Sequence, residues 1–155
     1  GAGYSKAGPL QVNRWREDAT RDHWGQFYYV RNRSKGTYWS ATHQPTQKAP
    51  QSFGATFSED KVEYWRRDEG TFTKTEIVVS QENNAELRRI TLTNETRETQ
   101  EYEVTSFMEA VLARPNDDAA HPAFSNLFVQ TEFISNGNAL LATRRKRKNQ
   151  ETPPW

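Results

Sequence analysis

Cysteine is absent from the 155 residues, which excludes disulfides and thiolate metal sites. It suits a reducing compartment. Apolar runs approaching 18 residues are also missing, so no stretch reads as a transmembrane helix. Gly1 to Lys6 lacks the basic-then-apolar pattern of an export signal. Net charge is nearly missing too: 21 Lys and Arg against 20 Asp and Glu leave +1, too little for a general attraction to nucleic acid or anionic lipid. Aliphatic residues are scarce. Leu, Ile, Val and Phe together number 26 of 155, about 17%, below the roughly 20% at which disorder becomes a concern. The near-zero charge argues against disorder, and 12% of the chain is Phe, Trp or Tyr. Each such ring buries about 150–250 Å², enough to build a core that the aliphatics alone would not.

The pattern is that of strands. Gly25–Val30 and Thr37–Ala41 flank a turn-rich stretch and read as a hairpin. Lys61–Arg66 alternates, Asp68-Glu69-Gly70 turns, and Thr71–Ser80 returns. Glu86–Asn94 and Gln100–Leu112 follow, and Asn126–Ile134 pairs with Asn138–Thr143 around Ser135-Asn136-Gly137. No segment sustains an apolar stripe at helical spacing for three turns. Eight or nine short strands with frequent turns predict an all-β, antiparallel sandwich or barrel. Alternation predicts burial of Val62, Tyr64, Phe72, Ile77, Val79, Leu87, Ile90, Leu92, Tyr102, Val104, Phe107 and Phe128. Thr42–Ser52 and Ala113–Ala123, each with two prolines, read as linkers. The expected layout is one sandwich domain over 1–148 and an exit linker over 149–155.

The densest polar cluster is Asn13 to Trp24, with three arginines, three acids and two tryptophans. Indole faces stack on the C–H surfaces of pyranoses, and charged forks bind hydroxyl pairs. The cluster equally fits a connecting segment whose charges pair with each other. The three histidines, His23, His43 and His121, lie 20 and 78 residues apart in no metal-ligand pattern. Arg144 to Lys148 is a run of five cations, the one feature that fits a free-standing nucleic-acid or anionic-surface binder. Subtracting those five from +1 leaves −4 on the remainder, which would repel a polyanion. A solvated domain exit explains the run better. No Ser sits in a nucleophile elbow, no phosphate loop is present, and no nucleophile, base and orienter converge. No catalytic residue, metal or cofactor is expected.

Six strings in order carry more than spacing does: Asn13–Asp22 (NRWREDATRD), Thr37–Thr46 (TYWSATHQPT), Thr56–Asp60 (TFSED), Thr75–Ser80 (TEIVVS), Glu86–Asn94 (ELRRITLTN) and Ala119–Phe133 (AAHPAFSNLFVQTEF). Together they resemble the N-terminal β-sandwich of glycoside hydrolase family 94 phosphorylases, formerly glycosyltransferase family 36, in particular the phosphorylase-like module of cyclic β-1,2-glucan synthases. The resemblance covers nearly the whole chain. It implies a supersandwich of the galactose mutarotase-like kind, cut from a larger enzyme whose (α/α)6 barrel carries the catalytic aspartate and the phosphate site. The family reaction is inverting, with phosphate in place of water. No residue here corresponds to its acid.

The module's implied role is therefore non-catalytic support of glucan binding and barrel packing. The parent would be a glycosyltransferase or phosphorylase of the cytoplasm or the inner membrane. The resemblance turns the Gly3-Tyr4-Ser5 loop and Arg14 to Asp22 toward sugar, and with Trp24 of the polar cluster the candidate carbohydrate-binding residues are Tyr4, Arg14, Trp15, Arg16, Asp18, Arg21 and Trp24. Lys6-Ala7-Gly8-Pro9 after the Gly3-Tyr4-Ser5 loop departs from the family pattern. Expected partners are a glucan, the absent barrel and, for the module alone, a second copy. Neither nucleic acid nor membrane is an expected partner.

Overall fold

The structure is a computed structural model and describes residues 3–18 and 20–146. The strands are β1 (Lys6–Ala7), β2 (Leu10–Asn13), β3 (Gln26–Asn32), β4 (Thr37–Ser40), β5 (Ser52–Phe57), β6 (Val62–Asp68), β7 (Thr71–Val79), β8 (Glu86–Asn94), β9 (Tyr102–Met108), β10 (Ala110–Ala113), β11 (Val129–Ile134) and β12 (Ala139–Arg144). Two short helices, α1 (Pro115–Ala120) and α2 (Pro122–Asn126), separate β10 from β11. The fold is all-β and mostly antiparallel, as the sequence predicts. The twelve strands exceed the expected eight or nine because Gln100–Leu112 breaks into β9 and β10, and because β1, β2 and β5 are too short or too polar to announce themselves.

The chain forms two compact units. The first comprises Asp18–His23 and Phe27–Phe107; the second comprises Gly3–Glu17, Trp24–Gln26 and the chain from Met108 onward. In the first, β5-β6-β7-β8 form a four-stranded antiparallel meander, and β4-β3-β9 form a three-stranded sheet. Asp68 pairs with Thr71 across the β6–β7 turn, where Glu69 and Gly70 have φ of 54° and 83°. Two successive positive φ values are what a type I′ hairpin requires. Gly70 is needed twice over, because a Cβ there would also lie 2.5 Å from Thr96 Cγ2. Glu69, an unusual residue for this backbone, is fixed by its carboxylate, which accepts from Lys48 Nζ at 2.6 Å and Thr37 Oγ1 at 2.7 Å.

In the second unit β1-β2-β10 form one sheet and β11-β12 a hairpin. The departure Gly8-Pro9 is the two-residue turn between β1 and β2, with Ala7 opposite Leu10 and Gly8 at φ 55°. Glycine at the first central position is what a type II′ turn demands. The turn after β11 is longer than an Asn-Gly pair. Ser135–Gly137 make a 3-10 turn, and Asn138, not Gly137, takes the left-handed backbone at φ 46°.

The interior is small and polar. Phe27, Val30, Trp39 and Ala41 are buried in the first unit, and Val111, Leu112 and Ala113 in the second. Trp39 on β4 donates its indole N–H to Thr73 Oγ1 on β7 at 3.4 Å, so these two sheets share the first core. Thr71, Thr73 and Thr75 line the same face of β7 as the burial alternates. The predicted core requires correction. None of its twelve members is fully buried; Val79, Leu87, Val104 and Phe107 are 46–69% exposed, and the others are half-buried. Their alternation is real, but Val62, Tyr64, Ile77, Ile90 and Leu92 sit on the face of β7 that carries the buried threonines and are only partly covered there, while Phe72 and Leu87 lie on the opposite face of that sheet.

Candidate functional site

The polar cluster of Asn13 to Trp24 is divided between the two units. Tyr4, Arg14, Trp15, Arg16 and Trp24 belong to the second, Asp18 and Arg21 to the first. In the second unit β2 organises the group. Asn13, wholly buried, donates through Nδ2 to Gly3 O at 3.1 Å and accepts from Ser5 N at 2.7 Å. This clasp holds the Gly3-Tyr4-Ser5 loop, and Tyr4 stacks on Trp15 with centroids 5.2 Å apart and 25° between planes. Gln11, also buried, donates Nε2 to Trp15 O at 3.1 Å.

Arg14 is the hub. Its Nε and Nη2 grip the Asp118 carboxylate at 3.1 and 2.9 Å, Nη1 pairs with Glu109, and Nη2 also reaches Asn126 Oδ1 at 2.6 Å. The guanidinium is 5% exposed and Asp118 is 2% exposed. Burial would lower the Arg14 pKa, but the hydrogen bonds and charges of Asp118 and Glu109 outweigh it and hold the pKa above the ordinary value. A bidentate, charge-assisted pair of this kind fixes geometry as well as charge. It pins α1 and α2, both entered through a proline at the first turn, onto the β2–β10 sheet. Arg14 therefore spends its donors on the protein.

Trp24 lies beneath two guanidiniums, with Arg14 Cζ 6.0 Å and Arg16 Cζ 5.7 Å from its centroid. Arg16 differs from Arg14. Its Nε and Nη2 are buried and have no hydrogen-bond partner among the described residues. In the first unit, Asp18 shapes a local turn: its Oδ1 accepts from Thr20 Oγ1 at 2.6 Å, Thr20 N at 3.0 Å and Arg21 N at 3.2 Å. The Thr20 bonds, with smaller help from Arg21 and His23, keep its carboxyl below the usual range. Arg21 is exposed, and its carbonyl accepts from Gln44 Nε2 at 2.6 Å.

The basic run is only partly described. Arg144 donates Nη1 to Val111 O and Ser125 O, both at 3.1 Å, and lies over Phe128, as does Arg145. These contacts make Arg144 a brace within the second unit. Arg147, Lys148 and the expected linker over 149–155 lie outside the described residues. Among the described residues no group of three or more His, Asp or Glu side chains could hold a metal, and no helix is long and apolar enough to cross a membrane.

Sequence reasoning missed a second hub, in the first unit. Arg66 on β6 is 2% exposed, and all five of its N–H groups are used. Nε and Nη2 grip Asp68 at 2.6 and 2.7 Å, Nη1 donates to Ser40 O and Thr42 O at 2.9 Å each, and Nη2 donates to Lys48 O at 3.0 Å. The available signal was the i, i+2 spacing of Arg66 and Asp68, which puts both on one face of a strand.

A family model of the glycosyl hydrolase 94 supersandwich domain matches residues 1–155. The cyclic beta-(1,2)-glucan synthase NdvB of Rhizobium meliloti (strain 1021) is 35% identical over 147 residues, which are 95% of this chain and 5% of that protein. The chain thus spans a small fraction of the length of the relative it matches.

Proposed function

The chain belongs to the glycosyl hydrolase 94 supersandwich-domain family, and from that premise we propose that it is the non-catalytic, carbohydrate-associated sandwich of a cyclic β-1,2-glucan synthase or a related glycoside phosphorylase. The observation that carries this reading is the 35% identity to the glucan synthase along 95% of the chain. The module supports glucan binding and packs on an (α/α)6 catalytic barrel carried elsewhere in the parent polypeptide. It works as a soluble, cytoplasmic part of an inner-membrane enzyme. Its carbohydrate-facing group in the second unit is the Tyr4–Trp15 stack with Arg16 and Trp24, to which Arg14 lends position; Asp18 and Arg21 are separate candidates on the first unit. Arg16 supports this placement through its guanidinium, whose Cζ lies 5.7 Å from the Trp24 centroid and so groups the cation with the indole.

The module by itself is not an enzyme. Its two most buried carboxylates, Asp68 and Asp118, are held in ion pairs with Arg66 and Arg14 rather than poised to give up a proton. The test is to incubate the purified chain with β-1,2-gluco-oligosaccharide and inorganic phosphate while following binding by NMR. Weak, salt-insensitive binding without release of glucose 1-phosphate is expected. Phosphorolysis by the chain alone would overturn the non-catalytic reading. Tight binding of a polyanion that collapses with salt would favour the anionic-surface alternative instead.

A further inference from the structure

Away from the Trp15–Trp24 group, the first unit contains a cavity of about 250 Å³. Its floor is the face of β5 and β6 that carries Phe53, Ala55 and Tyr64, since Ala55 pairs with Tyr64 and Phe53 with Arg66. Its wall is the segment after β4, through Ala41, His43 and Pro50. Arg66 joins floor to wall: the carbonyls of Ser40, Thr42 and Lys48 all accept from it, so the wall is fixed before any ligand arrives.

The lining defines the ligand. Phe53 is 75% exposed, an open ring at the edge of a concave surface. Tyr64 is held edge-on by Phe57, with centroids 6.1 Å apart. The Tyr64 hydroxyl and the exposed His43 imidazole are polar groups available to a ligand beside those rings. The lining cation, Arg66, has no donor left, so the site offers no free charge to an anion. The space is smaller than the roughly 300–1,000 Å³ that takes a drug-sized molecule, and suits a single ring. Aromatic faces beside a few neutral polar groups match an uncharged pyranose, which offers a C–H face and hydroxyl edges.

We infer that the groove bounded by Phe53, Tyr64 and His43 is a subsite for one neutral hexose unit of a glucan. The inference rests on the carbohydrate reading above and adds a second point of contact, on the other unit. Phe53 stacks on the sugar ring, Tyr64 and His43 bond its hydroxyls, and Arg66 positions the wall without touching the ligand.

The test is NMR titration of the isotope-labelled 155-residue chain with a linear β-1,2-glucotriose, repeated at raised salt. Shifts at Phe53, Tyr64 and His43 are expected, unchanged by salt. Phe53→Ala, at an exposed position where folding is not at stake, should weaken these shifts about tenfold, the loss of one stacked ring at ~1.4 kcal/mol per decade. Tyr64→Phe keeps the ring and should weaken binding by a smaller factor. Unchanged affinity in Phe53→Ala would overturn the inference, as would strong salt dependence. Shifts confined to Tyr4, Trp15 and Trp24 would also overturn it while leaving the carbohydrate reading intact. Absence of any shift would remove both.

Discussion

Replacing Arg66 by methionine tests whether the polar interior stabilises the first unit. The substitution keeps the stem and removes the fork. Asp68, whose side chain is 1% exposed, then loses both bonds of its ion pair. The carbonyls of Ser40, Thr42 and Lys48 lose a donor each. Removing one partner of a buried pair costs about 3–5 kcal/mol, because the remaining charge is uncompensated. Against a typical total of about 5–15 kcal/mol, that is a large fraction. For a chain of this size, about 2–4 °C per kcal/mol turns it into a fall in Tm of roughly 6–20 °C. Urea unfolding followed by tryptophan fluorescence gives the free energy, and hydrogen exchange shows whether residues 41–50 lose protection first. The double variant Arg66→Met with Asp68→Leu should recover much of the loss, since no unpaired charge remains. A loss under about 1 kcal/mol in the single variant, or no recovery in the double, would refute the reasoning.

Three further outcomes are expected. Glu76 is held by Arg89 at 2.8 Å and by Lys74 at 3.2 Å, and these bonds, Arg89 foremost, lower its pKa to about 2 against the opposing effect of desolvation. A depressed carboxylate stabilises above its unfolded value and loses that contribution as pH falls toward about 2; urea midpoints measured from pH 7 downward should therefore drop less steeply in Glu76→Gln. In Gly54→Ala the new Cβ would meet the Trp65 indole at 2.6 Å, so the ring must move, at a cost of about 1–3 kcal/mol; calorimetry and an altered tryptophan spectrum check this. With Leu140, Phe53, Phe57 and Leu87 all at least 69% exposed, the isolated chain should self-associate as a two-fold dimer, and light scattering that stays at 18.0 kDa at high concentration would exclude it.

The fold class was legible because turn chemistry and strand alternation are local. Asp68-Glu69-Gly70 specifies its hairpin in three residues, and the register of β6 and β7 follows from it. The helices were not legible, because Pro115 and Pro122 read equally as breakers and as first-turn residues. The core failed for a different reason. Alternation tells which residues share a face, not whether anything covers it, and Leu87 and Val104 share uncovered ones. The polar cluster of Asn13 to Trp24 was legible as a string, but the partner that engages its first arginine lies 104 residues away. No spacing rule reaches that far, so Arg14 read as a ligand fork when it is a strut.

The polar interior also sets how the module responds to temperature. Exposing apolar surface on unfolding raises heat capacity, and exposing polar surface lowers it. Among the described residues, 13 buried side chains are polar or charged and seven are hydrophobic, with the β7 threonines and the Arg66–Asp68 pair among the former. The two contributions offset more fully here than in a chain built on aliphatic packing, whose heat-capacity increment is about 12–15 cal/mol/K per residue. A smaller increment flattens the stability curve. The unfolding enthalpy then changes slowly with temperature, and the cold limb of the curve moves further from the growth range. A scaffold of this kind keeps a more nearly constant stability as its surroundings warm or cool.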